Sequence, residues 1–267
     1  MHTKNQICIN MSKTITMLRS TRCREIKKIV EENGIITVSK LSKILNVSPS
    51  TIRRDLKILG KQRLIGRFHG GIVTRSARAL FSEREIQNRE EKRKIGITAA
   101  KLIKDGDTII LDAGTTTAQI AQNMGYKKNV VVVTTAINIA RLLQGKPGLK
   151  VILTGGLLNV ETDSLVGALT KEAFSKINAD IAFLGCAAIS IDSGVMYPDL
   201  DIVETKKAIV KSAKKVIIVA DHSKFNKVSL TSAIPITAVD KIVTDDKLPQ
   251  AYAEALTAKG IEVIVAK

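Results

Sequence analysis

The sequence predicts two domains of different class: a small, basic, helical N-terminal domain and a larger α/β domain built on a largely parallel sheet. The 267 residues exceed one typical domain, and 45% of them are apolar, which is enough to form cores. Residues 1–75 carry 16 of the 42 Lys and Arg residues but only four of the 25 Asp and Glu residues. After residue 108, short apolar strands alternate with helices, which is typical of a parallel sheet covered on both faces.

Composition limits the class of protein and its partners. The net charge of +17 indicates a polyanionic partner. Residues 1–16 lack the apolar run of a signal peptide, so we expect a disordered leader, with Met1, Met11 or Met17 as the translation start. No apolar run reaches the length of a membrane span. The three cysteines form no CxxC pair and have no histidine at metal spacing, so we expect reduced thiols, a cytoplasmic location, and neither metal nor cofactor.

The basic domain, placed at residues 17–75, begins with three helical segments. The first shows three- and four-residue apolar spacing and ends at Asn33-Gly34. The second carries an apolar stripe at positions 38, 41, 44 and 45. The third runs from Ser50, which is predicted to cap it after Pro49, to Leu59, and Gly60 closes it. Three short helices with a tight turn before the third indicate a helix-turn-helix.

The third helix places Ile52, Leu56 and Leu59 inward, so its basic residues face outward near the end that reaches base edges in the major groove. Arginine suits guanine edges and phosphates alike, although a solvated helix face is the alternative interpretation. Two short strands, 64–65 and 72–73, then predict a wing. The predicted DNA contacts are Ser48, Ser50, Thr51, Arg53, Arg54, Lys57, Arg67 and His69.

The connector at residues 76–94 is highly charged and is predicted to be a linker followed by a helix. Ser82 and Glu85 resemble a capping box, which places the start of one helix near Ser82 and its end near Lys104.

Polar loops follow the first three strands of the larger domain, which spans residues 95–267. Seven strands are predicted, at 108–111, 130–133, 150–153, 181–185, 216–221, 241–243 and 262–266. Ligands bind at the carboxyl ends of such strands, and small residues at helix starts expose N–H groups that bind anions. The loop residues are Asp112, Gly114, Thr115, Thr116, Thr117, Thr134, Thr135, Gly155 and Gly156. Nucleoside-triphosphate and dinucleotide motifs are absent, so the phosphate of a small sugar fits better, although each loop alone could be an ordinary turn.

The stretch VSPSTIRRDLKILGKQRLIGRFHGG at residues 47–71 resembles the DNA-binding signature of the DeoR family of bacterial transcription regulators. DAGTTT, TGG, DIAFLG, ETKKA and ADHSKF resemble, in this order, the motifs of the family's C-terminal sensor domain. The resemblance therefore covers residues 17–267. It implies a winged helix-turn-helix in which Thr51, Arg53 and Arg54 contact DNA and Asp55 holds Arg54 or a neighbouring helix.

The same resemblance implies a sensor domain with a fold like ribose-5-phosphate isomerase and CoA-transferases, and a phosphorylated sugar as effector. The polar loops then become its cradle, with Glu204, Lys206, Asp221 and Lys224 as further candidate contacts. We expect a transcriptional regulator, and specifically a repressor of a carbohydrate-utilisation operon. Because one winged helix reads one half-site, we expect a homo-dimer or homo-tetramer assembled through the C-terminal domain, with the connector as transmitter.

Two other classes compete with this hypothesis. A sugar-phosphate isomerase or deaminase tethered to a nucleic-acid-binding module could use Asp112 as a base. However, Thr154 stands where the isomerases carry a lysine, and the three histidines do not form a set, so we expect no enzyme. An RNA-binding protein would explain the charge but neither the second domain nor the wing.

Overall fold

The computed structural model describes residues 18–33, 35–61, 65–68, 71–74 and 77–267. Contacts divide the chain into two units, residues 1–79 and 80–267. The predicted leader, Leu64, His69 and the side chain of Arg67 lie outside the described part of the chain.

The first unit has the element order of a winged helix. Its helices are α1 (Arg19–Asn33), α2 (Val38–Leu45) and α3 (Pro49–Lys61), and its strands are β1 (Ile35–Ile36), β2 (Ile65–Phe68) and β3 (Gly71–Thr74). The strands form an antiparallel sheet in the order β1-β3-β2. Ile65 pairs with Thr74 and Phe68 with Gly71. The predicted helix-turn-helix and the two strands of its wing are therefore confirmed, and β1 extends the wing to three strands.

The core of the first unit contains the inward positions that the helical spacing predicts. Its buried residues are Ile26, Val30, Ile36, Leu41, Ile52, Leu56 and Leu59. Ile44, predicted as part of the α2 stripe, is instead 50% exposed. At 100° per residue it lies on the edge of the face centred on Leu41, and the two turns of α2 bury only the centre of that face.

Two predicted helix starts are wrong. Ser48, not Ser50, caps α3: its Oγ accepts a hydrogen bond from the backbone N–H of Thr51 at 3.2 Å. Pro49 then occupies the first helical turn, where its missing N–H costs nothing. The helix predicted to start near Ser82 is in fact two helices, α4 (Ala77–Ile86) and α5 (Arg89–Ala100). They are separated at Asn88, which has a left-handed φ of 52°.

The second unit is an α/β domain whose main sheet has seven strands. Its further helices are α6 (Thr115–Asn123), α7 (Ile137–Leu143), α8 (Ala168–Ser175), α9 (Leu200–Lys211) and α10 (Gln250–Thr257). Its strands are β4 (Thr108–Leu111), β5 (Val130–Thr134), β6 (Leu149–Leu153), β7 (Leu157–Asn159), β8 (Ser164–Val166), β9 (Ala179–Leu184), β10 (Ala188–Ser190), β11 (Gly194–Tyr197), β12 (Ala213–Val219), β13 (Thr231–Ile234), β14 (Lys241–Asp245) and β15 (Glu262–Ala266). The main sheet has the order β15-β14-β12-β9-β4-β5-β6, and all its pairings are parallel. This confirms the seven predicted strands and the parallel sheet.

Both faces of the main sheet are covered. Ile110 and Leu184 belong to the core under α8, α9 and α10, whereas Ile109 and Phe183 belong to the core under α5, α6 and α7. The remaining strands form a β7-β8 hairpin and an antiparallel β10-β11-β13 sheet. These short strands were not predicted, because three or four residues give too little alternation to detect.

The order of connections reverses between β4 and β9. From β4 the chain proceeds to β5 and β6 on one side, and from β9 to β12, β14 and β15 on the other. The loops that leave the carboxyl ends of β4 and β9 diverge at this point. In open α/β sheets a ligand crevice forms at such a switch point.

Candidate functional site

The N-terminus of α3 presents hydroxyl and guanidinium groups to solvent. The Oγ of Ser48 lies 2.8 Å from the Oγ of Ser50 and 2.9 Å from the Oγ1 of Thr51. Arg53 and Arg54 are exposed, as is Lys57 one turn later. This is the end of the helix that enters the major groove in a helix-turn-helix. The exposed residues among the predicted contacts therefore lie between Ser48 and Lys57, at the cap and in the first turns of α3, and their contact with DNA stays a prediction.

A buried ion pair joins α3 to α1. The Nε of Arg22 donates to Oδ2 of Asp55 at 2.5 Å, and its Nη2 donates to Oδ1 at 3.2 Å. Asp55 is fully buried and Arg22 is 7% exposed. Asp55 raises the pKa of the Arg22 guanidinium, chiefly through their hydrogen bond. Of the two roles that the sequence left open for Asp55, the structure thus shows the holding of a neighbouring helix.

A cavity of about 230 Å³ lies in the second unit at the switch point between β4 and β9. It is surrounded by the loop after β4, the loop after β9, the start of α9, and side chains from α4 and α5. The lining residues are Arg84, Lys92, Ala113, Gly114, Thr115, Thr116, Thr162, Gly185, Cys186, Ala187, Tyr197, Pro198, Ile202, Lys206 and Lys224. The cavity therefore meets the N-terminus of α6, which starts at Thr115.

Four cationic side chains line this cavity: Arg84, Lys92, Lys206 and Lys224. Lys92 is only 4% exposed. Burial, with smaller contributions from the charges of Lys224 and Arg84, lowers the pKa of Lys92 to about 8 against the opposing effect of Asp221. Positive charges grouped in this way repel one another, and an anion in the cavity would relieve that repulsion. Together with the N–H groups at the start of α6, they form an environment suited to an anion.

Lys206 is paired with a buried carboxylate. Its Nζ donates to Oδ1 of Asp112, and Asp112 has no exposed surface. The same Nζ lies 5.3 Å from the ring centroid of Tyr197. Burial raises the pKa of Asp112, and the charge of Lys206 opposes that rise. The Tyr197 hydroxyl donates to the carbonyl of Gly185 at 2.7 Å. Asp112 therefore fixes Lys206 at the cavity wall and offsets its charge.

A second carboxylate stands behind Lys92 and Lys224. The Oδ1 of Asp221 accepts hydrogen bonds from Nδ2 of Asn88 at 2.7 Å and from the hydroxyl of Ser223. Burial favours a higher pKa for Asp221, but the bonds from Ser223 and Asn88 and the charges of Lys224 and Lys92 bring it below its usual value. This network anchors the start of α5 at Asn88.

Other residues predicted to bind the effector are engaged in structural contacts. The Oγ1 of Thr117 donates to the Gly114 carbonyl within α6, and the Oγ1 of Thr134 donates to the Leu111 carbonyl at 2.6 Å. The carbonyl of Thr135 accepts from the N–H of Leu165. The carbonyl of Gly155 accepts from Thr170, Gly156 adopts a φ of 142°, and Glu204 pairs with Lys207 on the surface. These six predicted effector contacts do not line the cavity just described: Thr117, Thr134, Thr135, Gly155, Gly156 and Glu204. Their part in effector binding stays a prediction.

Sequence reasoning missed Arg84 and Lys92, because it placed both in the charged connector. A signal for Lys92 was present: it shares a helical face with Ile95 and Ala99, and all three are buried. A lysine on an apolar face is unusual unless the ammonium has a partner or a ligand. Tyr197 is the last residue of β11 and Cys186 follows β9, and neither showed a comparable pattern.

Among the described residues, none of the helices combines the length and the hydrophobicity of a membrane span. Within the same part of the chain, no group of three His, Cys, Asp or Glu residues could hold a metal ion.

The chain matches two family models and many regulators. Residues 22–78 match the DeoR-like helix-turn-helix domain, and residues 87–246 match the DeoR C-terminal sensor domain. The glycerol-3-phosphate regulon repressor of Escherichia coli K12 is 32% identical over 92% of this chain and 99% of its own length. The HTH-type transcriptional regulator GolR of Listeria innocua is 33% identical over 92% of this chain and 98% of its own length.

Among solved structures, ribose 5-phosphate isomerase A of Methanocaldococcus jannaschii is 20% identical and covers 52% of this chain and 55% of its own, with a TM-score of 0.38. The two family models and the full-length relatives agree with the two observed units. The chain belongs to the DeoR family of transcriptional regulators.

Proposed function

We propose that the protein is a repressor that binds operator DNA through α3 and the wing and is controlled by a phosphorylated sugar or polyol in the cavity of the second unit. The observation that carries the proposal is the grouping of Arg84, Lys92 and Lys224 around the N-terminus of α6. The name of the Escherichia coli relative, a glycerol-3-phosphate regulon repressor, supports the chemical class of the effector.

The charge balance of the cavity favours a phosphate ester. Asp112 offsets Lys206, and Asp221 lies behind Lys92 and Lys224, so the lining keeps an excess of positive charge. A phosphate monoester carries roughly −1.5 to −2 charges at neutral pH and three acceptor oxygens. Such a group would satisfy the lysines, the guanidinium and the N–H groups of α6 together.

Part of the cavity lining suits a short carbon chain. Cys186, Tyr197, Pro198 and Ile202 contribute mostly apolar surface. Burial raises the pKa of the Cys186 thiol to about 12, so the thiol stays neutral. Lys206 is a charged donor beside Tyr197, with its Nζ 5.3 Å from the ring centroid, and a hydroxyl group of the effector can accept from it.

We propose that the cavity binds its effector without converting it. Asp112, the candidate base, is fully buried, is ion-paired with Lys206, and does not line the cavity. A general base must reach the proton that it abstracts. The test is an assay of isomerisation and deamination on each compound that binds, and turnover would overturn this part of the proposal.

We also propose that two or more copies act together. Helix-turn-helix proteins bind paired half-sites, so each copy would supply one α3. An effector that prefers one arrangement of the assembly would then shift the equilibrium between DNA-bound and free protein. Analytical ultracentrifugation with and without operator DNA tests the stoichiometry.

The deciding experiment combines two titrations of the full chain. Fluorescence anisotropy measures binding to DNA from upstream of its own gene, and calorimetry measures binding of a panel of pentose, hexose and polyol phosphates. We expect one compound to bind and to change the DNA affinity. Arg54→Ala should weaken specific binding by roughly 1–3 kcal/mol, while Arg24→Ala on the exposed face of α1 should change it far less. Equal affinity for operator and random DNA, or no binding of any phosphate ester, would contradict the proposal.

A further inference from the structure

The last turn of α4 is held by residues that also line the cavity. Helix carbonyls in the last turn lack partners within their own helix. The carbonyl of Arg84 accepts a hydrogen bond from Nζ of Lys92, and the Oγ1 of Thr115 lies 3.5 Å from the same oxygen. A lysine ammonium at this position also interacts favourably with the negative end of the helix dipole. Lys92 therefore caps the C-terminus of α4.

The same donors face the cavity. Lys92, Thr115 and Arg84 are all lining residues of the cavity. A phosphate carries a full negative charge, so it attracts the ammonium of Lys92 more strongly than a neutral peptide carbonyl does. An anion in the cavity thus competes with the α4 carbonyl for the same ammonium group.

The side chain of Arg84 makes the second attachment of this turn. Its Nη2 donates to the carbonyl of Glu161, in the turn between β7 and β8, at 2.7 Å. Its Cζ lies 5.7 Å from the ring centroid of Phe81, one turn earlier in α4. A phosphate that draws the guanidinium inward would alter this attachment together with the cap.

The start of α5 is fixed independently of α4. Asn88 lies between the two helices and has a left-handed backbone conformation. Its Nδ2 donates hydrogen bonds to Asp221 and Ser223. Movement of α4 therefore has a hinge at residues 87–88, while α5 keeps its anchor. Because α4 begins at Ala77, within residues 1–79, it is the covalent path from the sensor unit to the DNA-binding unit.

We propose that the C-terminal turn of α4 is a ligand-operated latch: Lys92 caps the Arg84 carbonyl when the cavity is empty, and the phosphate of the effector takes Lys92 from it and releases the turn. This inference rests on the proposed function and adds the mechanism by which the cavity reaches α4. It assigns the Lys92 ammonium two competing acceptors, the Arg84 carbonyl and the phosphate of the effector.

Hydrogen exchange of the full-length protein tests the latch, with glycerol 3-phosphate and inorganic phosphate as probes at concentrations that saturate them by calorimetry. The N–H of Gln87 bonds to the Glu83 carbonyl in this last turn. We expect exchange of the α4 amides around residues 84–87 to become roughly tenfold faster with the probe bound, which is the effect of losing a hydrogen bond to a charged donor. Exchange in α6 should slow at the same time.

Lys92→Met supplies the second arm, and Lys94→Met on the same helix is its control, since Lys94 lies outside the cavity lining. We expect fast α4 exchange in Lys92→Met without probe and no further rise when a probe is added, whereas Lys94→Met should behave as wild type. If Lys92→Met does not fold, the wild-type measurement still decides. A probe that binds but leaves α4 exchange unchanged or slower would overturn the latch alone. If neither probe binds, the proposed effector site fails and the latch fails with it.

Discussion

The ion pair between Arg22 and Asp55 predicts that the DNA-binding unit depends on a residue that does not touch DNA. Asp55→Ala would leave the guanidinium of Arg22 buried, with its two bonds of 2.5 and 3.2 Å lost. Breaking a buried pair by removing one partner costs about 3–5 kcal/mol. At roughly 0.05–0.15 kcal/mol per residue, the whole stability of a unit of this size is of the same order. We therefore expect Asp55→Ala to unfold much of the first unit and to abolish operator binding.

Two matched variants separate the pair from general charge effects. Arg19 also approaches Asp55, at 3.8 Å, but its side chain is 59% exposed. Exposed ion pairs contribute less than about 1 kcal/mol, so Arg19→Ala should leave the unit folded. Replacing both buried partners, as Arg22→Met with Asp55→Leu, removes the charge without leaving it unpaired and should recover most of the lost stability.

Hydrogen exchange of the α1 and α3 amides in the full chain reports the stability of this unit without interference from the second. A loss of 3–5 kcal/mol accelerates globally protected amides by roughly a hundredfold or more. Anisotropy on operator DNA follows function in the same samples. The reasoning is refuted if Asp55→Ala speeds exchange by less than tenfold, or if it matches Arg19→Ala in both assays.

Three further predictions concern the second unit. Because the pKa of Lys92 is about 8 and an anion binds its protonated form, phosphate-ester affinity should fall as the pH rises above about 8. Calorimetry near this pH should show that binding takes up protons, and Lys92→Met should not show this uptake. Gly96→Ala would place a Cβ 2.4 Å from Cβ of Gln119. Denaturation should therefore show a free energy of unfolding lower by about 1–3 kcal/mol, and calorimetry should show weaker phosphate-ester binding at the start of α6. Lys224→Gln should reduce phosphate-ester affinity about tenfold, because it removes a charge–phosphate bond, whereas the exposed Lys227→Gln should not.

The sheet could be predicted because its signal is local. Buried parallel strands are short apolar runs, and the seven runs were bounded by polar loops or helices that the spacing also revealed. The first unit was equally readable, since Ile52, Leu56 and Leu59 follow helical periodicity. Helix ends were less predictable: Ser48 and Ser50 are both good caps, and only the backbone shows which one accepts the N–H of Thr51.

The candidate site was predictable only where it follows a strand. Gly114, Thr115 and Thr116 line the cavity because they lie at the end of a central strand, at the switch point. Lys92 and Arg84 reach it from helices, 22 and 30 positions before Gly114, and no local sequence pattern predicts which strand end a helix will cover. Such long-range placement depends on the packing of α5 against the sheet, to which Gly96 contributes through its close approach to α6.

Burial and pairing together separate structural charges from candidate functional ones in this chain. Asp55 is buried and bonded to a buried arginine, so its charge serves the packing of α1 on α3. Lys92 is also buried, but its ammonium bonds to the neutral carbonyl of Arg84 and lines a cavity with three other cationic side chains. A buried cation is costly unless a counter-charge compensates it. The charge around the cavity therefore favours an anion, and under the proposed latch the anion that binds Lys92 also changes what holds the end of α4.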